Sequence, residues 1–515
     1  MTKTYDIVIV GAGSAGSAIA SRASEDPTRD VLLLEAGADY PDPATTPFDL
    51  INSHKNSYQE HDWGLGYSPT EGRSAPLPRG KVTGGSSAVN TTIALRGIPE
   101  DFDEWDELGN GEWAWDKVLP AFKRLERDLD FPDADYHGDA GPISIRRYPE
   151  RELLEHQHAF LESARSLGYP SCEDANAPDS EGAGPHPMNK LGRMRVSCAM
   201  GYLAPARARP NLTIEPNTFV RRLIIEGDRC TGVEVERNNG AIELVRGRSV
   251  VLSAGAIMSP AILKRSGIGP KRELEQIGID VVRDATGVGG NLCDHPALAV
   301  SCVAKDASII DTDQPLIQTI LRYTAAGSDK RNDLQIELLS FGANRRGRAT
   351  FAIAAVLEYT FGRGVLRLAS GDPHVAPIIE NRFCEDDRDA QRLASCFRDT
   401  LEFTKAPPLD GMIEELAFPN LERGIDDESI LKLCKGRSSS GYHPCGTARM
   451  GPKEDRQSVV NEYGQLHALE NVLVADASIM PSVPRANTNL TSIMIGEKIG
   501  EWLRTSPTIY GLCHV

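Results

Sequence analysis

The first unbroken apolar run, Ile7-Val-Ile-Val10, is β-branched and has no polar face, the pattern of a strand covered on both sides in a parallel sheet. Gly11 ends it. Small residues (Ala15, Gly16, Ala18, Ala20) then dominate positions 14–22, which predicts a helix lying close on that sheet. Val31-Leu-Leu-Leu-Glu35 reads as the next parallel strand and completes a βαβ unit. Between residues 212 and 253, short β-type runs alternate with turn signals at Gly227-Asp228 and Asn238-Asn239-Gly240, which predicts an antiparallel meander. Further β-type runs at 334–339, 351–360 and 364–368 predict a second sheet. Residues 386–405 place Leu393, Cys396, Phe397, Leu401 and Phe403 among charges, as an amphipathic packing helix does. The fold class is therefore α/β: a Rossmann-like domain of parallel sheet plus meander, joined to an α+β domain built on an antiparallel sheet.

At 515 residues the chain is long enough for more than one core, and no repeat or low-complexity tract suggests a solenoid. The net charge of -17 disfavours nucleic acid and anionic membranes, which require a basic footprint. The early apolar run is too short for a signal peptide or a membrane span, so a cytoplasmic location is expected. Ten dispersed cysteines without CxxC spacing argue against disulfides and against a metal site.

Gly11-Ala-Gly13-Ser14-Ala15-Gly16 lies between strand and helix, and Glu35 closes the following strand, so the glycine pattern has the context of a dinucleotide fingerprint. Gly11 permits the turn, Gly13 the approach of a pyrophosphate, and Gly16 the close packing of the helix. Glu35 can accept from both ribose hydroxyls and would repel a 2′-phosphate. FAD or NAD fits this site; NADP does not. A second glycine-rich segment, Gly84-Gly85-Ser86-Ser87, is flanked by Arg79 and Lys81 and reads as an ordered anion cradle.

The residues Arg79-Gly80-Lys-Val-Thr-Gly84-Gly85-Ser86-Ser87-Ala-Val-Asn90 resemble the first signature of the glucose-methanol-choline oxidoreductase family, although Thr83 stands where an aliphatic residue is usual. Ala254 to Gly269 resembles the second signature, and Val288-Gly-Gly-Asn291-Leu-Cys-Asp294-His295-Pro296 the next landmark. The blocks Tyr442 to Gly451, Val474 to Pro481 and Asn487-Thr488-Asn489 are similar to the family's catalytic end. The resemblance implies an FAD-binding domain from 1–100, 211–300 and 440–515, and a substrate domain from 101–210 and 301–439. It implies that Arg79, Gly80, Gly84, Gly85, Ser86, Asn90, Thr91, Thr92 and Ile93 wrap the pyrophosphate and flavin edge. Val220 and Trp63 would hold the adenine, Asp476 and Ala477 would meet the ribityl-pyrophosphate chain, and Ala36, Ala254 and Thr488 would complete the cofactor site. Some relatives attach the flavin to a histidine just before the position of Asn90; Val89 stands there, so the FAD is expected to be non-covalent.

By the same resemblance His443 is the catalytic histidine and Asn487 its partner, in the histidine-asparagine version of the site. Oxidising an alcohol needs a base at the hydroxyl, and histidine serves at neutral pH. His443 is expected to take the proton while hydride passes to the flavin, with Asn487 holding the alkoxide. His295, between Asp294 and Pro296, reads instead as part of a hydrogen-bonded turn, and Cys445 as a small buried thiol. The expected reaction is oxidation of a primary alcohol, aromatic or furan type included, to its aldehyde, with oxygen or another electron acceptor. A redox-silent lyase of the hydroxynitrile type is the alternative. Residues 310–360, expected to line the pocket, carry no charge cluster, so a small neutral alcohol is the expected substrate.

Overall fold

In the computed structural model, which describes residues 3–342, 347–419 and 425–512, two seven-stranded sheets carry the architecture. The first runs in the order Leu212–Glu215, Val31–Leu34, Thr4–Val10, Ile242–Leu252, Arg229–Arg237, Thr218–Glu226. The 11-residue strand Ile242–Leu252 joins its two halves. Its early residues pair antiparallel with Arg229–Arg237, as the meander predicts. Its later residues pair parallel with Thr4–Val10 on one side and Val472–Val474 on the other. Leu212, read as the start of the meander, instead begins a parallel edge strand beside Val31–Leu34.

The second sheet is antiparallel, in the order Ile413–Phe418, Pro296–Ala304, Thr350–Leu357, Leu334–Leu339, Ile317–Tyr323, Gly182–Pro185. Pro296–Ala304 lies wholly in this sheet, and the expected division at residue 300 falls inside it. The run at 364–368 does not join: Val365–Arg367 pairs with Ile378–Glu380 in a separate ladder. Gly364 permits this approach: a Cβ there would lie 2.2 Å from the Glu380 carbonyl oxygen. The expected packing helix is Asp387–Phe403, capped by the Asp386 side chain, which accepts from Arg388 N–H. Its Leu393, Phe397 and Leu401 pack with Ile336, Leu338 and Ile353 on one face of the antiparallel sheet. That leaves the other face for the site.

Helix Ser14–Ala23 packs on the C-terminal helix Thr488–Thr505. Gly496 and Gly500, one turn apart, allow this closeness: a Cβ on Gly496 would lie 2.5 Å from the Ala15 carbonyl oxygen. Ser14 Oγ donates to Asn489 Oδ1 at 2.7 Å across the same contact. The first and last segments of the chain are thereby locked together, and Asn487 is delivered to the end of the parallel strands. Trp105, Trp113 and Phe122 share the core of the parallel sheet, whereas Phe160 and Leu161 join the core of the antiparallel one. The expected 101–210 piece thus divides its packing between the two. Among the described residues no helix is long and apolar enough to cross a membrane, and no group of three or more His, Cys, Asp or Glu is arranged to hold a metal. The nine described cysteines are free thiols.

Candidate active site

A cavity of about 510 Å³ lies between the two sheets, lined by Glu35 and Val220 toward one end and by His443 and Asn487 toward the other. The glycine fingerprint forms its wall where the Thr4–Val10 strand turns into helix Ser14–Ala23. Gly11, Gly13, Ser14, Ala15, Glu35, Ala36, Trp63, Arg79, Gly80, Gly85, Ser86, Asn90, Thr91, Ile93, Ala254, Asp476, Ala477 and Thr488 all line it. Gly85 stands against Gly13 so closely that a Cβ would lie 2.6 Å from the Gly13 Cα, and the two glycine loops form one backbone cradle. Gly13 itself is open, with nothing nearer than 3.9 Å to an added Cβ. That bare backbone beside a helix N-terminus suits a pyrophosphate.

Three expected cofactor residues stand behind the wall instead. Gly16 is a packing residue, since its Cβ would overlap the Gly11 carbonyl oxygen at 1.9 Å. Gly84 is turned the other way, its N–H donating to the Ala12 carbonyl at 2.7 Å. Thr92 is fully buried in a left-handed backbone conformation, with its N–H on Asn90 Oδ1. All three shape the cradle without facing it.

Glu35 accepts from Ala12 N–H at 2.9 Å and Gly37 N–H at 2.8 Å, and burial pushes its carboxyl up to about 7 despite these bonds. A carboxylate has about four acceptor positions, so it can still receive the ribose hydroxyls of a dinucleotide. Asp476 is differently placed. Its Oδ2 accepts from Gly255 N–H and Ser259 O–H, and its Oδ1 from Ser478 N–H and O–H. The side chain therefore braces the loop at Ala477, which leaves the backbone of this segment to meet a cofactor chain if one is bound. These features fit FAD: an open backbone cradle, a buried acceptor at the adenosine end, and a cavity that continues to a base.

At the far end Asn487 Nδ2 lies 2.9 Å from His443 Nε2. Asn487 is fixed as the residue before helix Thr488–Thr505, and His443 by a short ladder in which Ser439 and Ser440 pair with Ala297 and Pro296. Asp294 secures that ladder. Its Oδ1 accepts from the backbone N–H of His295 at 2.8 Å and of His443 at 2.9 Å. Its Oδ2 accepts from Ser440 O–H and Asn381 Nδ2. Burial pushes the Asp294 carboxyl up to about 6.

The same ladder brings His295 against His443, with 2.9 Å between their Nδ1 atoms and the rings edge to face. His295 was expected to serve only a turn; it is a direct neighbour of the base. Burial pushes it down to about 3, so it stays neutral. His443 is held well below its ordinary value, first by burial and then by the neighbouring His295 and Arg79. Two neutral rings share one proton between their Nδ1 atoms. With the Asn487 amide donating to Nε2, the proton between the two Nδ1 atoms belongs to His443, the tautomer that leaves Nε2 unprotonated beside Asn487. Cys445 lies behind this arrangement, fully buried and paired through its backbone with Cys293. It does not line the cavity.

The cavity roof is the free face of the antiparallel sheet. Ala297 and Ala299, Val356 and Ala354, and Gln335 and Glu337 sit in register across three strands. Glu337 places one carboxylate there, a single charge in a segment expected to carry no charge cluster. The alternation in Leu334-Gln-Ile-Glu-Leu-Leu339 puts Gln335 and Glu337 on one face, and this pattern could have revealed them.

Comparison with known proteins agrees with this geometry. Residues 5–297 and 360–496 match the two models described as GMC oxidoreductase, and the chain belongs to that glucose-methanol-choline family of FAD-dependent oxidoreductases acting on CH–OH groups. It is 35% identical to the 5-(hydroxymethyl)furfural oxidase of Methylovorus sp. (strain MP688), over 98% of this chain and 100% of that one. It is 34% identical to an oxygen-dependent choline dehydrogenase of Chromohalobacter salexigens, over 98% of this chain and 95% of the other. The crystal structure of pyridoxine 4-oxidase from Mesorbium loti superposes with a TM-score of 0.89 at 29% identity, covering 99% of this chain and 100% of that one.

Proposed function

We propose that this protein oxidises a small primary alcohol, aromatic or furan alcohols included, to the aldehyde, with FAD bound non-covalently. The observation that carries the reading is the His443–Asn487 pair, 2.9 Å apart at the end of the cavity opposite Glu35. A carbinol oxygen seated over the pair donates its proton to His443 Nε2 and accepts from the Asn487 amide. His443 is suited to this because it is neutral, held in one tautomer by His295, and anchored at its backbone by Asp294. Asn487 opposes the build-up of negative charge on the oxygen as the proton leaves, and its place before a helix N-terminus adds to that effect. Bound FAD supplies the two-electron acceptor for the carbinol hydride. The bond changes balance: the O–H proton goes to His443, the C–H hydride to the cofactor, and the carbon–oxygen bond becomes double. The likeness to an oxidase of a furan alcohol and to a pyridoxine oxidase supports a ring-bearing primary alcohol. Val89 lines the cavity and has no atom able to bond a flavin covalently, which supports a dissociable cofactor.

The test is anaerobic addition of benzylic, furan and aliphatic primary alcohols to the oxidised holoenzyme. Loss of the oxidised flavin band upholds the reading, and recovery on admitting air identifies oxygen as an acceptor. A full panel without bleaching overturns it and leaves the redox-silent lyase.

A further inference from the structure

The roof of the cavity carries a feature that alcohol oxidation alone does not use. Glu337 stands beside Ala354 on the cavity side of the sheet, on a face otherwise made small by Ala297, Ala299 and Ala354. Its side chain keeps 17% of its surface exposed, while the alternate residues Leu334, Ile336 and Leu338 are buried in the core behind. One donor reaches it from the protein, Gln335 Nε2 at 3.2 Å. His186 Nε2 lies at 3.4 Å, beyond good hydrogen-bond length, and neither ring nitrogen of His186 makes a hydrogen bond. Among the described residues no lysine or arginine nitrogen comes within 4.0 Å of this carboxylate.

Gln335 repeats the pattern one row along. It is 3% exposed, lines the same cavity, and its Oε1 has no partner. Two acceptors on one strand, both short of donors, thus face the cavity that also holds the base. The one arginine toward the His443 end, Arg79, is committed to the Tyr442 carbonyl at 2.9 Å and does not neutralise Glu337. Buried acceptors left without donors are costly, and a ligand that brings donors removes that cost.

We propose that Glu337, supported by Gln335, is the specificity-determining anchor for the end of the substrate remote from the carbinol, and that the preferred alcohols carry a protonated amine there. The inference rests on the alcohol-oxidation reading above for the role of His443, and on the roof geometry alone for the cation. An ammonium brings a positive charge to a carboxylate that no lysine or arginine among the described residues pairs with, and N–H donors to both Glu337 and Gln335. An alkyl group of the same shape brings neither. Attraction inside a cavity walled by both sheets is screened less than at the surface, so the preference should be large.

Two paired measurements test it. The first compares kcat/KM of the wild-type holoenzyme for the meta and para isomers of (aminomethyl)benzyl alcohol with the matching ethylbenzyl alcohols, in which a methyl replaces the ammonium. A preference of tenfold or more for one of the aminated isomers is expected, expressed in KM. A preference under threefold for both isomers overturns the proposal without any variant. The second titrates oxidised holoenzyme with 4-methylbenzylamine, which has no hydroxyl, and follows the flavin spectrum in wild type and Glu337→Gln. A Kd at least tenfold higher in the flavin-replete variant is expected; equal binding overturns the proposal. Because this titration needs no turnover, it decides the role of Glu337 even where no alcohol bleaches the flavin, an outcome that would sink the oxidation reading instead.

Discussion

Replacing His295 by alanine isolates the contact that the structure adds to the catalytic pair. The substitution removes the ring whose Nδ1 lies 2.9 Å from His443 Nδ1 and leaves that nitrogen facing a void. An unpaired buried donor costs about 1–3 kcal/mol. The ring can avoid that cost by rotating, or by moving its proton to Nε2, and either change withdraws the lone pair from the substrate hydroxyl. At about 1.4 kcal/mol per factor of ten, the expected loss in kcat/KM is roughly 5- to 150-fold, carried by kcat. The pH profile gives a second readout. Burial and His295 both hold His443 below its ordinary value, so opening the space to water and removing the neighbour lets it rise. The acid limb of kcat/KM should therefore move to higher pH. Glutamine at 295, which keeps a polar group near the ring, should recover part of the rate. The assay is anaerobic flavin reduction across pH 5–9 on protein with matched flavin content. Full flavin occupancy with kcat/KM within twofold of wild type, or an unmoved acid limb, would refute the role assigned to His295.

His443→Ala should lower flavin reduction by about 10²- to 10⁴-fold, the usual contribution of a general base, while the visible spectrum still shows bound FAD; an active variant would place the base elsewhere. In the wild type the acid limb should lie below pH 6.5, because the base stays deprotonated when its pKa is depressed, and stopped-flow reduction between pH 5 and 8 measures this. Gly13→Val should fold but emerge short of flavin. Gly13 has φ −78, which any residue tolerates, and an added Cβ meets nothing nearer than 3.9 Å, so the new methyls project into the cofactor space. The ratio of flavin absorbance to protein checks it. Acid denaturation of the wild type should leave the yellow colour in the supernatant, and a coloured precipitate would disprove a dissociable cofactor.

The βαβ unit and the glycine turn were readable because their signals are local: strand, turn and helix follow one another, and Glu35 lies within the same unit. The catalytic pair was readable only by resemblance, since nothing local joins His443 to Asn487. His295 escaped for a related reason. Its neighbours Asp294 and Pro296 suggest a turn, and the Asp294 carboxylate does organise one, but the ring's partner, His443, is 148 positions away and is brought in by the adjoining ladder. The alternation at 334–339 identified a strand and the set of residues sharing a face. Which face would meet the cavity was decided by helix Asp387–Phe403 covering the other. Gly16, expected to pack the helix, and Gly84 and Thr92, expected at the cofactor by resemblance, all stand behind the cavity wall, because a motif marks every residue a turn needs.

The position of strand Ile242–Leu252 also bears on when this protein can become an enzyme. Its later residues are sandwiched between the Thr4–Val10 strand and the Val472–Val474 strand, which is made long after residue 252. At about 5–20 residues per second, the interval between residues 252 and 472 is roughly 10–45 s. For that time one edge of the parallel sheet stands unpaired, and exposed edges recruit other strands. Nascent chains halted before residue 472 should therefore hold no flavin and should adhere to chaperones, and cofactor capture waits for the Val472–Val474 strand.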